Sequence, residues 1–166
     1  MTKPTIIAIT GPSSSGKTNL AILIAKAING EIISVDSRQI YKELDIGSAK
    51  PSIEERQGIS HHLIDVVDVT QDYTVADFCD EANIKIKDII KKGKVPVLAG
   101  GTGLYFRVLL QDFDLPRVAP DNDLRNELDK LSNEELFEKL KKEDYELSTK
   151  IHCNNRVKII RALEVC

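Results

Sequence analysis

The residues richest in chemistry lie near the start of the chain: Gly11, Pro12, Ser13, Ser14, Ser15, Gly16, Lys17 and Thr18, with the spacing GxxxxGKS/T. Two glycines so placed let successive backbone N–H groups converge on one anion-sized nest. Lys17 brings a positive charge to the terminal phosphate oxygens, and the Thr18 hydroxyl is a suitable ligand for Mg²⁺. A helix starting there points its positive end at the same anion. Many ATP-binding and other nucleotide-binding enzymes share this P-loop, so the loop does not say whether its anion belongs to a nucleotide. A second candidate is Asp36, followed by Ser37, Arg38 and Gln39. Its carboxylate could accept a proton from a substrate, hold a water of Mg²⁺ or close a turn at a strand end, and spacing does not choose among these. The third is Gly100-Gly101-Thr102, standing where many P-loop enzymes carry a Mg²⁺-binding acid.

Strands must bring these groups together. Thr5 to Thr10 is a β-branched apolar run, and Leu20, Leu23, Ile24, Ala27 and Ile28 recur at helical spacing after the loop. Asn29-Gly30 stops that helix, and Glu31 to Val35 reads as a strand that delivers Asp36 at its carboxyl end. Tyr41 to Gln57 reads as a surface excursion, His62 to Val67 as a further strand, and Thr74 with Asp77 as the start of a helix ending at Gly93. Lys94 to Ala99 is another strand, and Leu104 to Leu110 another helix. This alternation predicts an α/β fold: a P-loop NTPase-like parallel sheet with helices on both faces and ligands at the carboxyl ends of the strands. Pro116 and Pro120 mark a boundary, giving a catalytic core over 1–115 and a helical segment over 116–166. Helices are expected there over Leu124–Leu131, Glu134–Lys142 and Val157–Val165. The last pattern reaches Cys166 with no stop signal, so we expect a truncated chain.

With 42% hydrophobic and 30% charged residues in 166, the chain falls in the soluble globular class, long enough for a sizeable core. It has neither an apolar run of about 20 residues nor a cleavable leader, which predicts a cytoplasmic protein without a membrane partner. Cys79, Cys153 and Cys166 lack CxxC spacing, so neither a disulfide framework nor a zinc site is expected. The paired His61 and His62 read as structural. The net charge of -3 hides an asymmetry: from Asp112 to Glu146 twelve residues are acidic and six basic. From Lys150 to Arg161 the charges are all positive, with Lys150, Arg156, Lys158 and Arg161 beside His152. That stretch is either a local phosphate-binding face or a solvated helix surface.

Five ordered blocks carry a resemblance: GPSSSGKT at 11–18, ISVDSRQIYKELDIGSAKP at 33–51, HHLID at 61–65, AGGTGLYF at 99–106 and IHCNNRVKIIRALEV at 151–165. Together they resemble the tRNA dimethylallyltransferase (tRNA isopentenyltransferase) family, from Thr5 to the last residue. The resemblance implies a P-loop α/β core with a helical insertion. It also implies transfer of the dimethylallyl group of dimethylallyl diphosphate to N6 of an adenosine in the anticodon stem-loop of tRNA. The diphosphate, not ATP, would then occupy Ser13 to Gly16, with Lys17 and Thr18 binding it and Mg²⁺. Asp36 would be the general base. Ser37, Arg38 and Gln39 would extend the contact to tRNA, Thr102 would stand at the reacting centre, and Arg125, Lys158 and Arg161 would touch the tRNA. Cys153, Asn155 and Lys158 stand where the family usually has Pro, Asp and Arg. The family continues past Cys166, so this chain alone is expected to be inactive, and we expect a monomer.

The residue types suit that chemistry. An exocyclic adenine amine is a poor nucleophile and gains from a carboxylate that takes its proton as the C–N bond forms. Negative charge collects on the departing diphosphate, where Lys17 and the loop N–H groups stabilise it. Two rivals remain: a transferase acting on free adenine nucleotides, which needs neither the helical segment nor the basic stretch, and a small-molecule kinase, which predicts an arginine-rich lid. Between Asp112 and Glu146 the arginines are Arg117 and Arg125.

Overall fold

Strand β1 (Ile7–Thr10) runs into the glycine-rich loop and then into α1 (Lys17–Ala27). After these come β2 (Gly30–Ser34), β3 (His61–His62), α2 (Val75–Lys91), β4 (Val95–Gly100) and α3 (Gly103–Leu110). The structure, a computed structural model, describes residues 4–111 and 118–166; Arg117 and Pro116 lie outside the described residues. The chain divides into two units, Met1–Leu115 and Pro116–Cys166.

In the first unit the strands form one parallel sheet in the order β1-β4-β2-β3. Ile32 pairs with Val97 and Ile33 with Leu98, so alternate residues of β2 and β4 face opposite sides. On one side Ile9, Ile32 and Val97 meet Ala21, Ile22 and Ala25 of α1. On the other, Ile33, Val35 and Leu98 meet Phe78, Ala82, Ile86 and Ile89 of α2 and Tyr105 and Phe106 of α3. Helices therefore cover both faces, which is why β2 is buried along its whole length. A capping box between Thr74 and Asp77 starts α2. Its end is a Schellman turn: Gly93, at φ 70°, donates to Ile90 O, and Lys94 N–H donates to Ile89 O.

The strand expected over His62–Val67 is cut to His61–His62 because Leu63 and Asp65 take φ of 58° and 57°, outside the β region. The chain turns instead onto the preceding excursion, with Val66 and Val67 N–H donating to Ile40 O and Lys42 N–H to Val67 O. That excursion is thereby anchored at Ile40, which is fully buried.

The second unit contains α4 (Asn122–Leu128), α5 (Asn133–Glu143), α6 (Tyr145–Ser148) and α7 (Arg156–Val165) around a core of Leu128, Leu136, Leu140, Ile159, Ala162 and Leu163. Asp121, Ser132, Asp144 and Asn155 cap these four helices with their side chains. The α6 turn escapes the sequence pattern because Asp144 both ends α5 and caps α6, leaving no loop between them. No helix among the described residues is long and apolar enough to cross a membrane.

Candidate active site

The loop between β1 and α1 is built on two left-handed residues, Ser14 at φ 60° and Gly16 at φ 81°, the latter at the helix N-cap. This alternation aims backbone N–H groups into a common concavity. Lys17 Nζ donates to Pro12 O, folding its ammonium back over the loop. Ser13, Ser14, Ser15 and Thr18 are exposed at this end of the sheet. Thr10, the last residue of β1, pairs with Gly100, the last of β4, so the loop and the Gly100-Gly101-Thr102 turn leave the sheet side by side.

The turn after β2 is fastened to the same place. Val35 N–H donates to Ala99 O at 2.8 Å, Thr102 N–H donates to Val35 O at 3.2 Å, and Thr102 Oγ1 accepts Ser37 N–H at 2.9 Å. Asp36 Oδ1 accepts the N–H groups of Arg38 (2.9 Å) and Gln39 (3.4 Å), an Asx turn that fixes the carboxylate relative to its own backbone. Oδ2 has no hydrogen-bond partner among the described residues, so one oxygen holds the turn and the other is open. A Cβ at Gly100 would lie 2.0 Å from Val35 O, which shows how closely these two strand ends approach.

Gln39 points inward. Its Oε1 accepts from Ser34 Oγ at 2.9 Å, and its Nε2 donates to Ser48 O and Ala49 O at 3.2 and 3.3 Å. Lys50 supports that loop from below: its side chain is only 5% exposed, and Nζ reaches Asp45 Oδ1 and Asp65 Oδ1, both at 2.6 Å, and Tyr41 O at 3.0 Å. The two carboxylates outweigh burial and raise the Lys50 ammonium above the ordinary lysine range. Tyr105 stacks on Phe78 with centroids 4.2 Å apart. Burial, with Tyr41, Cys79 and Asp36 nearby, pushes its phenol up to about 12. Sequence reasoning assigned no role to Lys50 or Tyr105; the only available signal was their place inside the matched blocks.

The two histidines part company. His62 Nε2 binds Glu31 Oε2 at 2.7 Å at the amino end of β2, where Lys92 and Lys94 reach the same carboxylate at 3.1 and 2.8 Å. Burial alone would raise the Glu31 carboxyl, but hydrogen bonds from Lys94, His62 and Lys92 outweigh it and bring it down to about 2. His61 lies on the opposite side of β3, and with Thr18, Ser34 and Gln39 it lines a cavity of about 20 Å³ beneath the loop. Among the described residues no three His, Cys, Asp or Glu side chains come together as a metal-binding group.

In the second unit, the Glu164 side chain is fully buried and accepts from Arg125 Nε (2.5 Å) and Nη2 (2.9 Å), Arg161 Nη1 (3.0 Å) and Asp121 N–H (3.1 Å). Arg161 also donates to Val118 O, and Arg156 clamps Leu128 O, Leu131 O and Asp129. Lys150 pairs with Glu146, while Lys158 is exposed. Arg156 and Arg161 are thus engaged within their own helical unit, while Lys150, in an exposed ion pair, and Lys158 face outward.

Comparison with known proteins identifies relatives of the chain. The IPP transferase family profile matches residues 39–166. A tRNA dimethylallyltransferase of Cyanothece sp. is 44% identical over 163 residues, covering 98% of this chain and 54% of the relative. The full-length tRNA isopentenylpyrophosphate transferase of Bacillus halodurans superposes with a TM-score of 0.67 at 42% identity, covering 98% of this chain and 55% of that one. A eukaryotic dimethylallyltransferase described as acting on tRNA superposes with a TM-score of 0.83 at 31% identity, covering 98% of this chain and 41% of that one. The chain spans about half the length of the curated relatives it matches. With a family profile covering most of its length, and a P-loop that leaves the parallel sheet beside the joined Thr102 and Asp36 turns, the chain belongs to the IPP transferase family.

Proposed function

We propose that the protein transfers the dimethylallyl group of dimethylallyl diphosphate to N6 of an adenosine beside the tRNA anticodon, releasing diphosphate. The observation that carries this reading is the fastening of the Asp36 turn to the Thr102 turn, beside the strand end that leads into the P-loop. A carboxylate with one oxygen fixed and one open is thereby brought near a bed for a polyphosphate. The relatives, named as tRNA dimethylallyltransferases, support the choice of donor and acceptor.

The chain's own groups divide the work. The loop N–H groups and Lys17 hold the diphosphate and take up the charge it gains as the C–O bond breaks. Asp36 Oδ2 accepts the N6 proton as the new C–N bond forms. In the helical unit the exposed Lys158 offers a charge to RNA, while Arg125 and Arg161 are held by Glu164. On the acceptor side of the core stand Ser37, Arg38 and Thr102, with Gln39 bracing the turn from within. The adenosine must leave its stack to reach them. Mg²⁺ suits the oxygen donors here: such an ion takes one or two protein oxygens, with phosphate oxygens and water completing the shell, and Thr18 would hold it. When bound, it would neutralise charge on the departing diphosphate. We place the protein in the cytoplasm, acting as a monomer.

The test is incubation of the full-length protein with tRNA, Mg²⁺ and dimethylallyl diphosphate, followed by mass analysis of the digested nucleosides. N6-dimethylallyl-adenosine is the expected product. Its absence, together with ATP-dependent phosphorylation of a small molecule, would replace this reading with the kinase one; modification of free adenine nucleotides alone would replace tRNA as the acceptor.

A further inference from the structure

His61 looks like a structural histidine until its two nitrogens are considered separately. Nδ1 lies 2.9 Å from Ile59 O, and a carbonyl oxygen only accepts, so Nδ1 carries the hydrogen. Nε2 is therefore a bare acceptor, and it is buried without a hydrogen-bond partner among the described residues. It adjoins the cavity of about 20 Å³ that Thr18, Ser34 and Gln39 also line, with apolar side chains completing the wall. A space of that size holds one water, which needs two to four polar partners.

The possible hydrogen bonds of that water are few. Ser34 donates its one hydroxyl hydrogen to Gln39 Oε1, so towards the cavity it can only accept. The Gln39 amide directs its hydrogens to Ser48 O and Ala49 O. A water at this point can give one hydrogen to His61 Nε2 and the other to Ser34 Oγ. Among the four polar side chains, that leaves the Thr18 hydroxyl as the one able to donate to it. With its hydrogen directed into the cavity, the Thr18 oxygen would present its lone pairs to the loop mouth, the orientation a metal ligand requires.

We propose that His61 is a positioning residue for Thr18, acting through one resident water that accepts the Thr18 hydroxyl hydrogen. This rests on reading Thr18 as a Mg²⁺ ligand in the function proposed above, and it assigns to the first histidine of the pair a role that the second does not share.

Two measurements test it. A crystal structure of the protein at high resolution should show a water within hydrogen-bond distance of His61 Nε2, Ser34 Oγ and Thr18 Oγ1; a dry cavity overturns the proposal. Calorimetric binding of inorganic pyrophosphate, with and without Mg²⁺, should show His61→Leu losing about tenfold in affinity only when Mg²⁺ is present, the scale expected for a group that orients a metal ligand. His61→Gln, which returns an acceptor oxygen near the Nε2 position, should recover most of the loss. An equal loss with and without Mg²⁺ would mark a purely structural role, and no loss would mark none; either result overturns the proposal. If the unsubstituted protein shows no Mg²⁺-dependent binding of pyrophosphate, the metal reading of the loop falls and takes this proposal with it, whereas a failure confined to the His61 variants leaves that reading intact.

Discussion

Replacing Glu164 by Gln tests how much of the helical unit's stability comes from one buried carboxylate. The group accepts four hydrogen bonds, three from guanidinium nitrogens of Arg125 and Arg161 and one from Asp121 N–H. Hydrogen bonds from Arg125, working against burial and aided by Arg161 and Asp121, bring its carboxyl from 4.5 down to about 2. At pH 7 a depression of that size contributes on the order of 3 kcal/mol to folding. Because the folded value lies below the unfolded one, the contribution is complete above pH 4.5 and drains away as pH falls towards 2. At pH 3 about 1 kcal/mol remains. A glutamine keeps the shape and loses the charge. With a urea slope of about 2 kcal/mol per molar, the midpoint for Glu164→Gln should fall by roughly 1.5 M at pH 7 and by well under half of that at pH 3. The chain has no tryptophan, so far-UV circular dichroism is the natural probe. A variant as stable as the parent at pH 7, or a gap of the same size at both pH values, would refute the electrostatic account.

Four further outcomes follow from the first unit. Thr102→Val leaves the half-buried Ser37 N–H without its acceptor, at a cost of about 1–3 kcal/mol, so turnover should fall about 10- to 100-fold with pyrophosphate affinity unchanged. Thr102→Ser should restore it, and equal rates for the two variants would contradict the fastening role. Asp36→Asn should lower the single-turnover rate by roughly 10²- to 10⁴-fold while leaving donor binding within about twofold, as expected for a proton acceptor. Lys50→Met leaves Asp45 and Asp65 facing each other without their shared cation and should lower the melting temperature by about 5–10 °C. Adding Asp65→Asn should recover part of that loss. Gly100→Ala should cost about 3 kcal/mol or more, or prevent folding, read by thermal melting, because the neighbour it meets is backbone.

The centre of the sheet was legible in the sequence because β2 and β4 are largely buried and read as apolar runs, followed by Asp36 and closed by Gly100 respectively. The P-loop was legible because its spacing encodes its geometry. What could not be read was anything decided by a distant partner. Positive φ at Leu63 and Asp65 converts an apolar run into a turn, and nothing in the local composition announces it. The run from Lys150 to Arg161 looks like a phosphate-binding face until Glu164 is seen to hold Arg161 from three residues away and Arg125 from another helix. His61 and His62 are neighbours in sequence, yet strand alternation sends one under the P-loop and the other to Glu31.

The position of the acid is the one feature for which the structure supplies a reason that the sequence could only pose as a question. Many P-loop enzymes place a carboxylate at the end of the strand beside β1; here that strand is β4, and it ends in Gly100. A side chain there is impossible, since its Cβ would fall 2.0 Å from Val35 O and 2.9 Å from Val35 Cα. The close approach has a consequence one residue further along: it lets Thr102 N–H reach Val35 O and Thr102 Oγ1 reach Ser37 N–H, which together hold the turn bearing Asp36. Moving the carboxylate from β4 to β2 and replacing the β4 position with glycine are thus two sides of one arrangement. Restoring an acid at position 100 would not give this fold a hydrolase-like metal site; it would separate the two strand ends and release Asp36.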